Sequence, residues 1–386
     1  MGRAVPLRVS LRAIFAVAAA GIPVSLASVV AGPAAAAAHP AGAARPAAAS
    51  FSTTGALAGV AAASRSSAWA VGFTGTGIGI DKVLMLHWNG RGWSRVTSPK
   101  VLTGTGQLSA VTVVSAKDAW AVGNTGSGHP HTLILHWNGR AWKAVTSPAP
   151  VANGTLSAVT ANARGGWAVG SHFTGPTVPQ TSPVIFRLTG TKWTRVDPRF
   201  GTGTGVVLDG VATTSAGTTF ATGLYTGMIT GVLARWSGAS WGWVKSFPEE
   251  GTYHWLSGIA AGPRGTAFAL GPNTSGKGAV ISIRWTGHAW VKAPAPATAS
   301  PNAVAFAPGG TGWAAGSTFS GSSTHPLILR WNGHAWVRVT TPAGNAELDG
   351  LGFATARYGW AVGRSVNPHT GRSRAVILHW NGRSWG

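Results

Sequence analysis

The sequence predicts an all-β fold, a seven-bladed β-propeller of four-stranded antiparallel blades. An aromatic-Ala-hydrophobic-Gly quartet, or a near copy, occurs seven times at intervals of 45 to 53 residues. The aromatic residues that open it form a first column: Trp69, Trp120, Trp167, Phe220, Phe268, Trp313 and Trp360. Repeats of this length are single units that bury their apolar faces against neighbours. Radial repetition of four-stranded units gives a propeller.

Two further aromatic columns keep the same period. The second column is Trp88, Trp137, Trp236, Trp285, Trp331 and Trp380, with Leu188 in its place in the third repeat. The third column is Trp93, Trp142, Trp193, Trp241, Trp290, Trp336 and Trp385. The three columns hold 18 of the 20 tryptophans, so we expect them to pack between blades. Trp255 lies off this pattern beside a loop, and its removal is expected to cost far less stability.

The repeat around residue 120 shows the four strands of a blade. Residues 108–114 form an apolar first strand, and a polar turn separates them from the second strand, 119–122. Residues 132–137 and 142–146 are the third and fourth strands, joined by Asn138-Gly139, a dipeptide typical of tight hairpins. No helical period follows the N-terminal segment.

Gly123, Trp137 and Trp142 fall in the order in which a kelch repeat places its glycine and its tryptophan. In these residues the chain resembles the kelch-like propellers, including the galactose-oxidase type, over roughly residues 57–386. One glycine and a His-Trp or Arg-Trp pair stand where the kelch pattern has a double glycine and a Tyr. The resemblance implies a shared architecture and little about chemistry. The copper-radical chemistry of the galactose-oxidase type needs a Cys, and this chain has none.

The N-terminal segment has a different composition. Three arginines precede an uncharged apolar run and a cluster of alanines, which predicts a cleaved secretory signal peptide over residues 1–38 and a secreted, extracellular protein. An uncleaved membrane anchor is the alternative, because the apolar run is long enough to span a bilayer. Residues 39–50 are predicted to be a flexible Ala/Pro-rich leader, and residues 51–386 the propeller. No transmembrane segment is expected in the mature chain, which we expect to be a monomer.

Basic residues dominate the predicted mature chain. Without the three arginines of residues 1–38 it has 27 basic and 8 acidic residues, a formal net charge of +19. One set is predicted to lie in the outermost strands, where charge discourages edge-to-edge pairing: Arg95, Lys143, Arg195, Lys245, Lys292 and Arg338. Another set falls in the first and third turns of the blades: Lys117, Arg164, Arg264, Arg357, Arg91, Arg140, Lys192 and Arg383.

The first and third turns of an up-and-down blade lie on the same face, so one whole face of the disc is expected to be positive. Such a face indicates an anionic extracellular partner, for example a cell-wall polyanion. Solubility alone is the other interpretation. Nucleic acid is not expected, because the basic residues are spread singly over blades rather than along a groove with stacking aromatics.

The opposite face carries the long, variable loops, which is the usual layout of a binding surface. Its ligand-binding candidates are Tyr225, Glu249, Glu250, Tyr253, His254 and Trp255. Their rings could stack on a sugar while the carboxylates accept its hydroxyls. The alternative for Trp255 is that it fills the gap between two blades.

Catalysis is limited by the supply of carboxylates. A glycosidase needs two within reach of one bond, and the chain has eight acidic residues in all. Asp209 and Asp349 belong to a predicted ring at the mouth of the central channel: Ser109, Ser157, Asp209, Ser257, Asn302 and Asp349. The two carboxylates are three blades apart, which favours a polar rim or a cation site over a shared reacting centre. No catalytic residue is therefore assigned.

Histidines give no convincing metal site. His87, His136 and His379 occupy a column that is Arg in the other four repeats, and Arg cannot ligate a metal, so the column is interpreted as structural. His129 and His131 are a weaker candidate pair. No metal or cofactor is predicted.

Together these features predict a secreted, non-catalytic binding or scaffold propeller that recognises an extracellular carbohydrate, a cell-wall polyanion or a protein. The alternative is a propeller-type hydrolase with its site at the channel mouth. The seventh repeat stops at Gly386, before its fourth strand is complete. Residues 50–54 are β-compatible, and we expect them to complete the outermost strand of the seventh blade beside residues 376–379.

Overall fold

The computed structural model describes most of the predicted propeller. The described residues are 53–75, 81–99, 102, 104–126, 129–148, 151, 153–173, 181–199, 205–226, 230–244, 255–272, 280–297, 299–320, 323–367 and 369–386. The predicted signal peptide and leader lie outside them, as do Lys245, Glu249, Glu250, Tyr253 and His254. None of the described segments is a helix of the length and apolar character needed to cross a bilayer.

The described chain forms seven antiparallel sheets, each in simple sequential strand order. Blade 1 contains β1 (Ala56–Ser64), β2 (Ser67–Thr74), β3 (Lys82–Trp88) and β4 (Trp93–Arg95). Blade 2 contains β5 (Gly106–Ser115), β6 (Asp118–Thr125), β7 (His131–Trp137) and β8 (Trp142–Val145). Blade 3 contains β9 (Gly154–Asn162), β10 (Gly165–Phe173), β11 (Thr181–Thr189) and β12 (Lys192–Arg195).

The remaining blades repeat the pattern. Blade 4 contains β13 (Val206–Thr213), β14 (Thr219–Tyr225), β15 (Thr230–Trp236) and β16 (Trp241–Trp243). Blade 5 contains β17 (Gly258–Ala261), β18 (Ala267–Gly271), β19 (Ile281–Trp285) and β20 (Trp290–Lys292), with a 3-10 turn at Pro263–Gly265. Blade 6 contains β21 (Ser300–Phe306), β22 (Gly312–Ser320), β23 (Ser323–Trp331) and β24 (Trp336–Val339). Blade 7 contains β25 (Glu347–Thr355), β26 (Tyr358–Val366) and β27 (Ser373–Trp380).

The blades form a closed ring around a central channel. Each innermost strand contacts the innermost strand of the next blade, and β25 of blade 7 contacts β1 of blade 1. Two small or apolar residues from each blade line a cavity of about 120 Å³ at the axis: Gly59-Val60, Ala110-Val111, Ala158-Val159, Gly210-Val211, Gly258-Ile259, Ala303-Val304 and Gly350-Leu351. The predicted all-β, seven-bladed propeller is confirmed.

A bulge near the start of the innermost strand explains the glycine of the repeated quartet. In blade 2 the register of β5 against β6 shifts between Leu108 and Ala110, which leaves Ser109 as the extra residue. Gly123 faces this bulge, and a side chain there would collide with the carbonyl oxygen of Gln107. The glycine that ends the quartet meets the same close backbone approach in all seven blades.

The three aromatic columns form the contacts between blades. Each first-column ring packs edge-to-face against a third-column ring of an adjacent blade, with ring centres 5.0–5.6 Å apart. The seven pairs are Trp69–Trp142, Trp120–Trp193, Trp167–Trp241, Phe220–Trp290, Phe268–Trp336, Trp313–Trp385 and Trp360–Trp93. Because the last pair joins blade 7 to blade 1, the aromatic contact recurs at every interface of the ring.

The His/Arg column packs on these same rings. His136 stacks on Trp120 with ring centres 4.0 Å apart. In another blade the Arg187 guanidinium lies 5.5 Å from the ring of Trp167. Both residue types offer a flat, polar surface to an indole, so the interpretation of this column as structural is confirmed.

Both chain ends complete the outer strand of blade 7. Thr54 bridges Arg374, with hydrogen bonds from Gly55 N to Ser373 O (3.1 Å) and from Ala375 N to Thr53 O (3.0 Å). Gly386 exchanges two backbone bonds with His379 at 2.8 and 3.1 Å. The prediction that the N-terminal segment closes the ring is confirmed for Thr53 and Thr54, whereas residues 50–52 lie outside the described residues. Its register differs, because Trp385 and Gly386 already pair with the end of β27 and leave the start of β27 to Thr53–Gly55.

Candidate functional site

The predicted channel-mouth residues all occupy one position in the fold, the bulge of the innermost strand. Register shifts place Ser109, Ser157, Asp209, Asn302 and Asp349 there directly, and Ser257 corresponds to them in blade 5. Ser109 is half-buried. The other five are buried, Asp209 being 1% and Asp349 2% exposed. The expected open polar rim is therefore wrong, because the bulge turns these side chains into the packed ring.

Several bulge residues bond to the next blade. Asp209 Oδ2 of blade 4 accepts a 2.7 Å hydrogen bond from the indole N–H of Trp255, which leads into blade 5. Ser257 Oγ of blade 5 donates to Pro301 O of blade 6 at 2.7 Å. Asn302 Nδ2 of blade 6 lies 3.1–3.3 Å from three acceptors of blade 7: Glu347 Oε1, Leu348 O and Asp349 Oδ1. The polar ring thus ties blades 4, 5, 6 and 7 together.

Trp255 and Glu347 are equivalent residues. Each lies two positions before a bulge residue, Ser257 or Asp349, and each bonds to the bulge residue of the preceding blade. Trp255 is 3% exposed. Its buried ring offers no face for stacking on a sugar, which corrects its interpretation as a ligand platform and favours the alternative, packing between blades.

The other loop candidates are not brought together by the described structure. Tyr225 is half-buried at the end of β14 and packs against the cluster that contains Val206 and Leu208. Glu249, Glu250, Tyr253 and His254 lie outside the described residues. A binding role for these five residues stays a prediction.

Sequence reasoning missed two polar pairs on the loop face. Arg364 donates to Glu347 Oε2 at 3.3 Å, and Gln107 Nε2 donates to Asp81 Oδ2 at 2.5 Å. Gln107 and Glu347 both precede a bulge residue by two positions. Alignment of the repeats on the Leu-X-(Gly/Ala) triplet, as in Leu108-Ser109-Ala110, would have revealed this shared position.

The histidine-containing candidates have local partners. His129 Nδ1 lies 2.9 Å from Asn153 Oδ1. His136 Nε2 lies 3.0 Å from Asp118 Oδ1. Among the described residues, no group of three or more His, Asp or Glu side chains is placed to hold a metal ion.

The basic turns do share one face, as the sequence predicts. In blade 2 Gly139 of the third turn packs against the side chain of Lys117 in the first turn. In blade 7 Gly382 packs in the same way against Arg357. The tight hairpin glycines therefore bring two cationic turns of one blade side by side.

The cations of the first and third turns are concentrated in an arc of this face. Blades 7, 1, 2 and 3 are consecutive in the ring, and each carries one cation in its first turn and one in its third turn or, for Lys192 of blade 3, at the first residue after it. These eight exposed residues, which we call the basic crescent, are Arg357, Arg383, Arg65, Arg91, Lys117, Arg140, Arg164 and Lys192. The same turns of blades 4 and 6 contain no Lys or Arg, and those of blade 5 only Arg264. At this end of blades 4, 5 and 6 the third strand carries Arg235, Arg284 and Arg330, whose guanidiniums lie over indole rings. Every blade thus has a cation at this face, as expected, but the cations of the turns are unequally distributed.

The backbone beneath the crescent is held by repeated hydrogen bonds. Second-column indoles donate to carbonyls of the first turn: Trp88 to Arg65 O, Trp137 to Ala116 O and Trp380 to Ala356 O, at 2.9–3.2 Å. In the third turn, Asn side-chain oxygens accept from the N–H groups of Arg91, Arg140 and Arg383 at 2.9–3.0 Å. In blades 7, 1 and 2 these bonds fix the turns while the cationic side chains remain exposed. In blade 3, Asn162 Oδ1 accepts from Arg164 N at 2.8 Å, and Leu188 replaces the indole.

Acidic groups are concentrated away from the crescent. Asp118 is the one carboxylate in or beside the described first and third turns, and it faces His136. Asp81, Asp209, Glu347 and Asp349 lie at the other end of the blades, at the loop ends of strands. Most of the described carboxylates thus lie at the face opposite to the crescent.

The sequence matches no protein-family model and no curated protein. Solved structures share its fold. They include YCF48 bound to D1 peptide, at 15% identity over 84% of this chain and 93% of that one, with a TM-score of 0.53. A streptogramin B lyase structure matches at 15% identity, 84% and 94% coverage and a TM-score of 0.55. The WD40 propeller domain of Doa1 matches at 9% identity, 84% and 95% coverage and a TM-score of 0.55. At these identities the similarity shows the propeller fold alone.

Proposed function

We propose that this protein is an exported, non-catalytic binding propeller whose ligand is an extracellular carbohydrate, wall polyanion or protein. The observation that carries the proposal is that residues of the channel-mouth ring are buried and form hydrogen bonds between blades. Asp209 is buried against Trp255 Nε1, and Asn302 and Ser257 bond to the following blade. A hydrolase at this mouth would need two accessible carboxylates near one bond.

Export rests on the N-terminal sequence. A basic start, an apolar run and the alanines of residues 34–38 are typical of a cleaved signal. N-terminal sequencing of the exported form should give a start near His39, and an intact Met1 in a membrane fraction would contradict cleavage.

The fold neighbours are compatible with binding and with catalysis. One similar propeller is bound to a peptide and another is named a lyase. The kelch-like subtype inferred from the sequence stays a prediction and adds nothing to either choice. The buried channel-mouth residues of this chain favour binding over catalysis.

A binding and turnover screen tests the proposal. The secreted form is incubated with wall fractions, purified polysaccharides and extracellular proteins, and both bound material and released products are measured. We expect saturable binding without product. Turnover that is lost in Asp209→Asn, with an unchanged unfolding midpoint, would instead establish the propeller-type hydrolase.

A further inference from the structure

We propose that the basic crescent is the binding site for an extended polymer that carries one oxyanion group, phosphate, sulfate or carboxylate, on each repeat unit. The inference rests on the proposed binding function and assigns it a surface and a ligand chemistry. The cations of the first and third turns are distributed unequally among blades that share one fold.

The turn cations are concentrated in four neighbouring blades, and a high total charge does not explain this position. Four consecutive blades supply eight exposed cations, while the same turns of the other three blades supply one. In those blades the positions are filled by Ser215, Ala216, Gly309, His288 and His334, among others. Solubility requires net charge but no particular arc, whereas an elongated ligand needs cations that follow one another in space.

The side chains suit oxyanions. Six of the eight are arginines, whose planar guanidinium can donate two parallel hydrogen bonds to phosphate, sulfate or carboxylate. Within the described residues none of the eight forms an ion pair with a carboxylate, since Asp118 is bonded to His136. In the part of the chain that the structure describes, Arg65 is the one member of the crescent with a ring contact, its guanidinium carbon lying 5.1 Å from the ring centre of Tyr358.

The turns are pre-organised. In blades 7, 1 and 2 the Trp indoles and Asn side chains described above hold the backbone beside the cations, and in blade 3 Asn162 holds that of Arg164. Binding then orders side chains only, and a rigid backbone loses less entropy on association than a mobile loop.

A soluble polymer fits better than a bilayer or a nucleic acid. Among the described residues the large exposed hydrophobics are Trp243, Val291, Phe319 and Val337, which lie in outer strands or in β22 and not in the basic turns. Bilayer docking buries apolar side chains, and single-stranded nucleic acid stacks its bases on exposed rings. The second-column indoles at this face are instead engaged with turn carbonyls.

The test compares two variants with equal loss of charge. The crescent variant replaces the four third-turn cations by glutamine: Arg91→Gln, Arg140→Gln, Lys192→Gln and Arg383→Gln. The control removes four exposed cations that lie outside the crescent: Arg264→Gln, Lys292→Gln, Arg338→Gln and Arg372→Gln. Unfolding midpoints are measured first, and both variants are expected to match the parent because these side chains are exposed.

Affinity is measured for labelled polyphosphate, heparin, polygalacturonate, neutral dextran and anionic phosphatidylglycerol vesicles over a range of salt. We expect binding to at least one of the three polyanions and none to dextran. The crescent variant should bind at least about tenfold more weakly than the parent, and the control within about twofold, since only the crescent variant removes cations from the binding surface. The slope of the salt dependence should fall by roughly one unit for each crescent cation replaced. The preferred polymer identifies the oxyanion.

Three other outcomes overturn the crescent assignment. Equal losses in the two variants would show a response to total charge, and binding to vesicles without binding to free polymer would show a membrane surface. If the protein binds a wall fraction or a protein partner but no polyanion, the crescent assignment fails while the binding function stands. If a polyanion is bound and also cleaved, the crescent stands and the non-catalytic function fails.

Discussion

At the scale of single residues, the bond between Trp255 and Asp209 shows how a bulge changes the role of a side chain. Asp209 is an extra residue in its strand, so its carboxylate turns toward the next blade instead of the channel. Trp255 occupies the matching position of that blade, although it belongs to none of the three aromatic columns. Its stability contribution should therefore resemble that of a column residue.

Replacing Trp255 should be costly. We expect Trp255→Ala to lower the free energy of unfolding by about 3–5 kcal/mol, the range for a large buried ring. Trp255→Phe should lose about 1.5–3 kcal/mol, because it keeps much of the ring but removes a donor to a carboxylate. The control is Trp243→Ala, since Trp243 is 36% exposed. Urea denaturation measures all three, and equal losses for Trp255→Ala and Trp243→Ala would contradict the assignment.

His379 is a residue whose protonation opposes folding. Burial lowers its pKa, and the positive charge of Arg65 lowers it further. Its ring packs on Tyr358 with centres 4.4 Å apart, and its backbone pairs with Gly386 at the ring closure. Burial lowers the pKa of His87 in blade 1 as well.

Stability should therefore fall in mild acid. An unfolded histidine takes up its proton as the pH drops through about 6.5, and the folded side chain does so only at lower pH, so protonation favours the unfolded chain. The folded state therefore keeps its full stability above about pH 6.5, where the histidine is neutral in both states, and loses part of it as the pH falls further. We expect His379→Gln to reduce the drop in thermal midpoint between about pH 7.5 and 5.5. The exposed His334→Gln is the control, and a pH profile unchanged by His379→Gln would refute this role.

At the scale of the strand and blade, the repeated quartet in the second strand allows the bulge in the innermost strand to form. Its aromatic residue packs between blades, and its glycine allows the innermost strand to approach. Because both roles are needed in every blade, the aromatic residue and the glycine recur together. The bulge in turn exposes a pair of small or apolar residues to the channel.

Gly123→Ala tests this geometry. The new methyl group would overlap the carbonyl oxygen of Gln107, so β5 and β6 must separate. We expect a loss of about 3 kcal/mol or more, the upper range for overpacking. Gly242→Ala in the outer strand β16 is the matched control, because no atom lies within 4 Å of the position its side chain would occupy. Chemical denaturation should separate the two, and a Gly123→Ala protein as stable as Gly242→Ala would contradict the bulge explanation.

At the scale of the whole molecule, stability depends on closing the ring. The aromatic contact between Trp360 and Trp93 joins the last blade to the first, and the two chain ends share one edge of blade 7. An unpaired strand would leave backbone groups without partners. Closure thus combines side-chain packing with two short backbone pairings.

Deleting residues 39–55 should lower the thermal midpoint by about 2 °C or more, because the backbone bonds of Thr53 and Gly55 to β27 are removed. Deleting residues 39–48 should have no effect, since Thr53 and Gly55 remain. Differential scanning calorimetry compares the two forms. Equal midpoints would mean that packing between blades 1 and 7 suffices for closure.

The number of blades, the positions of the four strands and the structural nature of the His/Arg column could all be predicted from the sequence. These features are periodic, and a residue such as Trp142 or Asn138 carries the same local information in most repeats. The cationic edge residues, such as Arg95, also follow from this period.

The direction of single side chains and the pairing of turns between blades depend instead on the tertiary structure. The bulge inserts one residue, which turned Asp209 and Asn302 from expected rim groups into bonds between blades. Trp255 became a core residue because of its partner 46 positions away. The crescent forms only when blade 7 lies beside blade 1, which places Arg357 and Arg383 next to Arg65 and Arg91. Such contacts join residues distant in sequence, so no local pattern encodes them.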